Sequence, residues 1–385
     1  MKHFAKPLVF LASVVLSLLA FEIGVRFLEI DYNPSPNWRF HPRLGWTQER
    51  GMTYDYQLGG VDIRVEFNQL GFRDVEHALA KPAGTQRLVV IGDSFSEALQ
   101  VNLEQTYWRQ LAKLLSDAQG HPWEVINLGV GDWGNAQALL ALKEYGLAYQ
   151  PDLVVSQFFA LNDVCNNTIE LAHLCKSTND DYRPYFKLEE GRLEQTWTQP
   201  IRQWLRSRLI SFGALELLMI KVAGQEGQET VEEKHQRLTR ERGFRSDPLL
   251  LTYASDRHQP EELQRGWATT EALLGETFRI CRDQGIPWVG MVVPFEARIN
   301  ESWPHLEQAL AEFEPDVDYP EKRLGRLFQE LGASLLLLKP LFEEHREEVL
   351  YFIGGHLNPR GHTLAAEGLR DLVLESGVLQ STARR

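Results

Sequence analysis

The sequence predicts an α/β protein, a three-layer α/β/α sandwich on a five-stranded, doubly wound parallel sheet. Three observations predict it. Short apolar runs near 87–91, 124–128, 153–159, 287–293 and 334–338 are unbroken by polar alternation, as in strands buried on both faces. Helix-length segments separate them, giving the strand-helix rhythm of a parallel sheet. The runs near 87–91, 124–128 and 153–159 end in clusters of Gly, Asp, Asn or Ser, the composition of ligand-holding loops at the carboxyl edge of such a sheet.

The elements follow in order. Lys2 and Lys6 precede an apolar stretch, and Pro7 to Val25 is 19 residues, about the length that crosses a bilayer core. A cleaved signal peptide is the alternative, but Leu18-Leu19-Ala20 is a poor cleavage site. Lysines before the stretch and one arginine just after it predict a cytoplasmic N-terminus. Residues 1–30 are therefore expected to be a single-pass inner-membrane anchor. The remainder is expected to be periplasmic or otherwise extracytoplasmic. Residues 31–86 form an extended lead-in with Pro34, Pro36 and Pro42, and the alternation from Val61 to Phe67 predicts an accessory strand. The main domain covers 87–376, and 377–385 is a tail.

Within that domain, helices are predicted near 103–118 and 135–148. After the third strand the rhythm stops for an insertion at about 164–259. It holds a hairpin, Tyr185 to Leu188 and Arg192 to Glu194, turned at Glu190-Gly191. It also holds a helix near 200–222 with Arg202, Arg206 and Arg208 at its start and an apolar second half. That pattern fits a helix packed on its own domain, one shaping a groove, or one lying on a membrane. Residues 224–247 are polar and charge-rich. Helices near 260–284, 320–331 and 360–376 complete the pattern.

Composition narrows the chemistry. The net charge of −13, from 40 basic and 53 acidic residues, argues against a nucleic-acid partner. No metal-type Cys/His spacing, P-loop or dinucleotide fingerprint occurs, so neither a metal site nor a nucleotide cofactor is expected. Cys165 and Cys175 sit ten apart in a polar stretch, open to a disulfide in an oxidising compartment or to two free thiols. Cys281, in a helical run, reads as a small buried apolar residue. Asn166 and Asn300 begin glycosylation sequons, a weak match.

The strand ends carry a candidate acyl-transfer site. Gly92-Asp93-Ser94 closes the first strand, and Ser94 is the candidate nucleophile. Its competing reading is a capping box, with Ser94 starting a helix and Glu97 three residues later. The second strand leads into Gly129-Val130-Gly131-Asp132-Trp133, the third into Asn162-Asp163, and His356 precedes the last helix. Ser94 would attack a carbonyl carbon while His356 takes and returns the proton. The N–H groups of Ser94 and Gly131 and the Asn162 amide would hold the oxyanion. Asp93 is expected to order the nucleophile turn and Asp163 to brace the Asn162 loop. His362 is a rival base, with packing as its alternative role. Trp133 is open to stacking on a sugar ring or to the core.

These segments resemble the blocks of the SGNH hydrolases, the GDSL esterase/lipase superfamily. Gly92-Asp93-Ser94, Gly131, Ala160-Leu161-Asn162-Asp163 and His356 occur in family order across 87–376. The lead-in from Asn68 to Asp74, after an N-terminal anchor, is similar to membrane-anchored bacterial members. The resemblance implies a flavodoxin-like SGNH fold and an extracytoplasmic serine esterase or O-acyltransferase without a cofactor. It also implies an acylated, often acetylated, glycan or small ester as substrate, with a membrane acyl-transfer partner by analogy. Two positions depart from the pattern. Ala160 replaces a glycine, and Gly354 or Ile353 stands where an aspartate two or three residues before the histidine is expected. A backbone carbonyl could orient His356 instead, Glu347 or Glu348 could substitute, or the site could be weak or inactive. The last case would make the protein a carbohydrate-binding or scaffold protein of the cell envelope.

Overall fold

The computed structural model describes residues 2–27, 38–172, 182–223, 250–254, 259–296, 299, 311 and 314–379. The chain opens with helix α1 (Lys2–Phe27). Two antiparallel hairpins follow: β1 (Trp38–His41) with β2 (Gly45–Gln48), and β3 (Thr53–Leu58) with β4 (Val61–Glu66). Strand β4 is the predicted accessory strand. The β1–β2 hairpin was not anticipated, because each of its strands is only four residues long.

The domain then alternates as expected. Strand β5 (Gln86–Ile91) leads through the short helix α2 (Ser94–Glu97) to α3 (Tyr107–Gln119). Strand β6 (Trp123–Asn127) leads to α4 (Asn135–Glu144), and β7 (Leu153–Phe159) runs directly into α5 (Ala160–Asn166) and α6 (Ile169–Ala172). The insertion contributes the hairpin β8 (Pro184–Glu189) and β9 (Arg192–Trp197), then α7 (Pro200–Arg208) and α8 (Ile210–Ala223). The last elements are α9 (Glu261–Asp283), β10 (Trp288–Val293), α10 (Tyr319–Leu331), β11 (Ser334–Leu337), α11 (Leu338–Glu344) and α12 (Pro359–Glu375).

Strands β11-β10-β7-β5-β6 form one all-parallel sheet in that order. In chain order this is the flavodoxin-like 2-1-3-4-5 arrangement, whose ligand crevice opens between the first and third strands. The alternate faces are both covered. Val89, Ile91, Val154, Phe158 and Val292 pack with residues of α4, α9 and α10. Leu88, Val90, Val155, Met291 and Val293 pack with α3, α11 and α12. This double burial is why the strands read as unbroken apolar runs.

The lead-in is built into the sheet by two buried arginines. Arg87 donates to the carbonyls of Ala78, Leu79 and Tyr149 and pairs with Glu124. Arg73 donates to the carbonyls of Glu97, Ala98 and Val101, just beyond the turn that carries Ser94. Each guanidinium is desolvated, so these fixed acceptors hold it in place.

Two expectations are corrected. The single helix expected near 200–222 is broken at Leu209, whose φ of −122° and ψ of 105° are extended. Asn162 does not sit in a loop; it lies in the first turn of α5. Among the described residues no helix is long and apolar enough to cross a membrane, so the expected span is not found. Glu22 and Arg26 interrupt the apolar run of α1, and the Glu22 carboxylate accepts the N–H groups of Ile210 and Ser211 at the start of α8. The stretch 224–247 lies outside the described residues.

Gly290 lies in the centre of β10, where a Cβ would overlap the Phe328 ring of α10 and press on Leu335 of β11. Gly290→Val therefore overpacks the sheet-helix layer. A loss of about 1–3 kcal/mol in urea unfolding is expected, whereas an unchanged midpoint would deny the tight packing.

Candidate active site

Strand β5 ends in a turn held by the side chains of Asp93 and Gln157. Asp93, fully buried, is the N-cap of α2, and its carboxylate accepts the Phe95 N–H at 2.9 Å. Its own N–H donates to Gln157 Oε1 at 3.0 Å, and the Ser96 hydroxyl donates to the same oxygen at 3.1 Å. Ser94 is thus the first residue of a helical turn capped by Asp93. The capping-box alternative does not hold: Ser94 is not the cap, and the Glu97 side chain turns to other partners.

The Ser94 hydroxyl meets His356. Nε2 of His356 lies 2.9 Å from Ser94 Oγ, joining residues 262 positions apart. The imidazole packs against the Phe95 ring, with centroids 5.1 Å apart. Its other side bonds to the Gly354 backbone, which favours the protonated ring, while burial outweighs that and holds its pKa below the usual 6.5. A bond that favours the protonated ring is accepted from it, so the Gly354 carbonyl faces an imidazole N–H. A proton on Nδ1 would leave Nε2 as the acceptor for the Ser94 hydroxyl. The turn depends on its glycines: Gly354 has φ +105° and Gly355 φ +84°, conformations that L side chains rarely adopt. The missing aspartate thus coincides with a backbone that disfavours any side chain.

Neither substitute carboxylate reaches His356. Glu348 is bound by Arg360 at 2.6 Å and by His345 at 2.8 Å, which pulls its carboxyl down to about 2. Glu347 is almost wholly exposed beside Arg346. Glu296, not singled out from sequence, places a carboxylate oxygen 3.6 Å from the position a Gly355 Cβ would take. The rival His362 is buried, accepts the Tyr107 N–H on Nδ1 at 3.2 Å and stacks on that ring. Burial pushes its pKa down to about 3, so it is a neutral packing residue.

The oxyanion side is less simple than expected. Asn162 Nδ2 donates to Asp93 Oδ2 at 2.8 Å, which leaves its second amide hydrogen available. The pairing also fixes which way the amide points, because the reversed amide would set two oxygens together. No acceptor for the Ser94 N–H occurs among the described residues. Gly131 stands beside Ser94: a Cβ on it would lie 3.9 Å from Ser94 Cβ. Its N–H, however, is engaged by Glu97 Oε2 at 3.0 Å, and Gln48 of β2 donates to the other Glu97 oxygen. The expected role of Gly131 thus requires release of the Glu97 carboxylate.

The supporting acids behave as their surroundings dictate. Burial raises the Asp93 carboxyl to about 6 against the hydrogen bonds of Phe95 and Asn162. Asp163 accepts the Phe159 N–H at 2.7 Å and so braces the start of α5, and burial raises its pKa well above the usual value. Asp132, next to Gly131, has φ +63° and pairs with the buried Arg183 at 3.0 Å. Trp133 is wholly buried, edge-on to Phe72, so it belongs to the core and offers no sugar platform. Cys165 is disulfide-bonded and Cys281 is a free buried thiol. Cys175, the expected partner, and Asn300 lie outside the described residues, while Asn166 is buried.

No family model and no curated protein matches the chain. Several solved structures do. An acetyl xylan esterase, AlAXEase, is 12% identical over 74% of this chain and 99% of that chain, with a TM-score of 0.38. TesA is 15% identical over 75% of this chain and 98% of that chain, with a TM-score of 0.38. The lipase Lip_vut3 from a goat rumen metagenome is 11% identical over 75% and 97% of the respective chains, with a TM-score of 0.40.

Glu97 supplies a test of the buried network. Burial raises its carboxyl from 4.5 to about 7. A raised folded-state value favours folding below pH 4.5, and that contribution is lost as pH rises through about 7. Glu97→Gln removes it. The Tm of the variant relative to wild type should therefore climb between pH 5 and pH 8; a flat difference would place the Glu97 carboxyl in water.

Proposed function

We propose that this protein is an SGNH-type serine hydrolase or O-acyltransferase of ester bonds that works through a Ser94–His356 dyad. The carrying observation is the 2.9 Å contact between Ser94 Oγ and His356 Nε2 at the crevice between β5 and β7. Asn162, on the helix that follows β7, is tied to the same turn through Asp93 at 2.8 Å.

The chemistry follows from these atoms. His356 Nε2 takes the Ser94 proton as Oγ bonds to the ester carbonyl carbon. The negative charge that develops on the carbonyl oxygen falls to the Ser94 N–H, the free Asn162 hydrogen and the Gly131 N–H once Glu97 lets it go. Collapse breaks the ester C–O bond, and the imidazolium returns the proton to the departing alcohol. Water then attacks the acyl-serine in hydrolysis, and an acceptor hydroxyl does so in transfer, with His356 again the base.

The Gly354 carbonyl orients the imidazole as a carboxylate would, but it supplies no full negative charge to the imidazolium. The proposed substrate is an acylated, most simply acetylated, carbohydrate, in keeping with the polar rim of Asp132 and Asn162. An extracytoplasmic location agrees with the disulfide at Cys165. The second reading, a non-catalytic envelope protein on this fold, is favoured by one observation: Glu97 holds the Gly131 N–H.

Labelling by a fluorophosphonate and release of p-nitrophenol from its acetate separate the two. The wild type should label, Ser94→Ala should not, and His356→Ala should lower turnover by about 10²–10⁴. Because burial lowers the His356 pKa, the acid limb of kcat/KM should fall below pH 6.5. Equal labelling of wild type and Ser94→Ala would remove the nucleophile. An unlabelled wild type would favour the non-catalytic reading.

A further inference from the structure

A second apolar element accompanies α1. Residues 12–21 of that helix are exposed on every side, among them Val15, Leu16, Leu18, Leu19 and Phe21. Helix α8, with the sequence ISFGALELLMIKVA, packs against α1 and leaves Leu215 and Met219 exposed. The two are locked at one level by a polar knot. Glu22, nearly buried, accepts the N–H groups of Ile210 at 3.1 Å and Ser211 at 2.9 Å. Arg26 pairs with Glu22 at 2.6 Å and donates to the Arg208 carbonyl at 3.0 Å. Exposed Phe27 ends α1 and exposed Arg208 ends α7, while exposed Trp204 lies one turn earlier in α7.

We propose that α1 and α8 together form one lipid-seated unit, with the Glu22–Arg26 knot at headgroup level. Three features favour lipid over a protein partner. A helix partner covers one stripe, whereas α1 is apolar all round over about three turns, which only a lipid phase covers. Arg26 and Arg208 meet at the knot of an otherwise acidic chain, a complement to anionic headgroups. The length of α8, 14 residues and about 21 Å, falls short of a hydrocarbon core of about 30 Å, so it enters lipid without crossing. The break at Leu209 gives this insertion its own direction, separate from α7, whose Gln203 and Arg206 are buried against the protein.

The test uses the full chain, released from detergent into phosphatidylcholine–phosphatidylglycerol vesicles. Leu215→Cys, carrying an environment-sensitive fluorophore, should shift to the blue and be quenched by brominated acyl chains. The same label at Lys113→Cys, on the exposed face of α3, should stay aqueous. The double substitution Leu215→Glu and Met219→Glu should weaken vesicle flotation by about tenfold or more, because both charges enter the apolar phase. An aqueous label at 215 beside a lipid-quenched label at Leu18→Cys would overturn the role of α8. Self-association in light scattering that the double substitution abolishes, with no quenching by lipid, would assign the surface to a second copy and overturn the proposal.

Discussion

The buried carboxylate of Asp93 is the constraint on which the site depends. It caps the turn that carries Ser94 and orients the Asn162 amide from the adjacent strand, so one side chain joins the ends of β5 and β7. These are the strands between which the sheet changes direction, and the parallel register Leu88↔Leu153 to Ile91↔Ser156 holds their ends together. Gln157 completes the arrangement from β7 by accepting the Asp93 N–H. A carboxyl sealed from water favours its neutral form, and the hydrogen bonds of Phe95, Asn162 and Gln157 are among those that oppose that tendency.

Around this anchor, His356 meets backbone where a carboxylate was expected. A carbonyl has the direction needed to select a tautomer, but its partial charge stabilises an imidazolium less than an ionised group does. The Gly354–Gly355 turn, with both φ values positive, aims that carbonyl at the ring. The same economy of space governs the oxyanion side, where Glu97 fills the position beside Gly131 and is steadied by Gln48 of the lead-in. The lead-in is therefore part of the site: Arg73 holds the carbonyls after α2, and Asp74 accepts the Asn127 N–H at the end of β6.

Much of this was legible in the sequence because it is local. Strand β7 was placed at its observed limits, since an apolar run without alternation admits few alternatives. Ser94 was singled out from its strand-end position and His356 from its place just before the last helix, and the fold brings the two together. His362 was expected within the first turn of the last helix, where it lies buried. Other features depend on contacts far apart in sequence. Glu97 reads as a helix-cap partner three residues from Ser94, and only the fold turns it to Gly131. Asn162 reads as loop because α5 starts without a spacer after β7. The arginines Arg73 and Arg183 look like surface charges until the carbonyls and the aspartate that bind them are in place. The break at Leu209 has no proline or glycine to announce it.

The central claim is that His356 is neutral, with its proton on Nδ1 facing the Gly354 carbonyl and Nε2 free toward Ser94. Nitrogen-15 NMR of the ring-labelled protein measures this directly, with His356→Gln identifying the resonance among the 11 histidines. At neutral pH the account predicts a protonated Nδ1, an unprotonated Nε2, and titration below pH 6.5. A proton on Nε2, or a ring already charged at neutral pH, would contradict it.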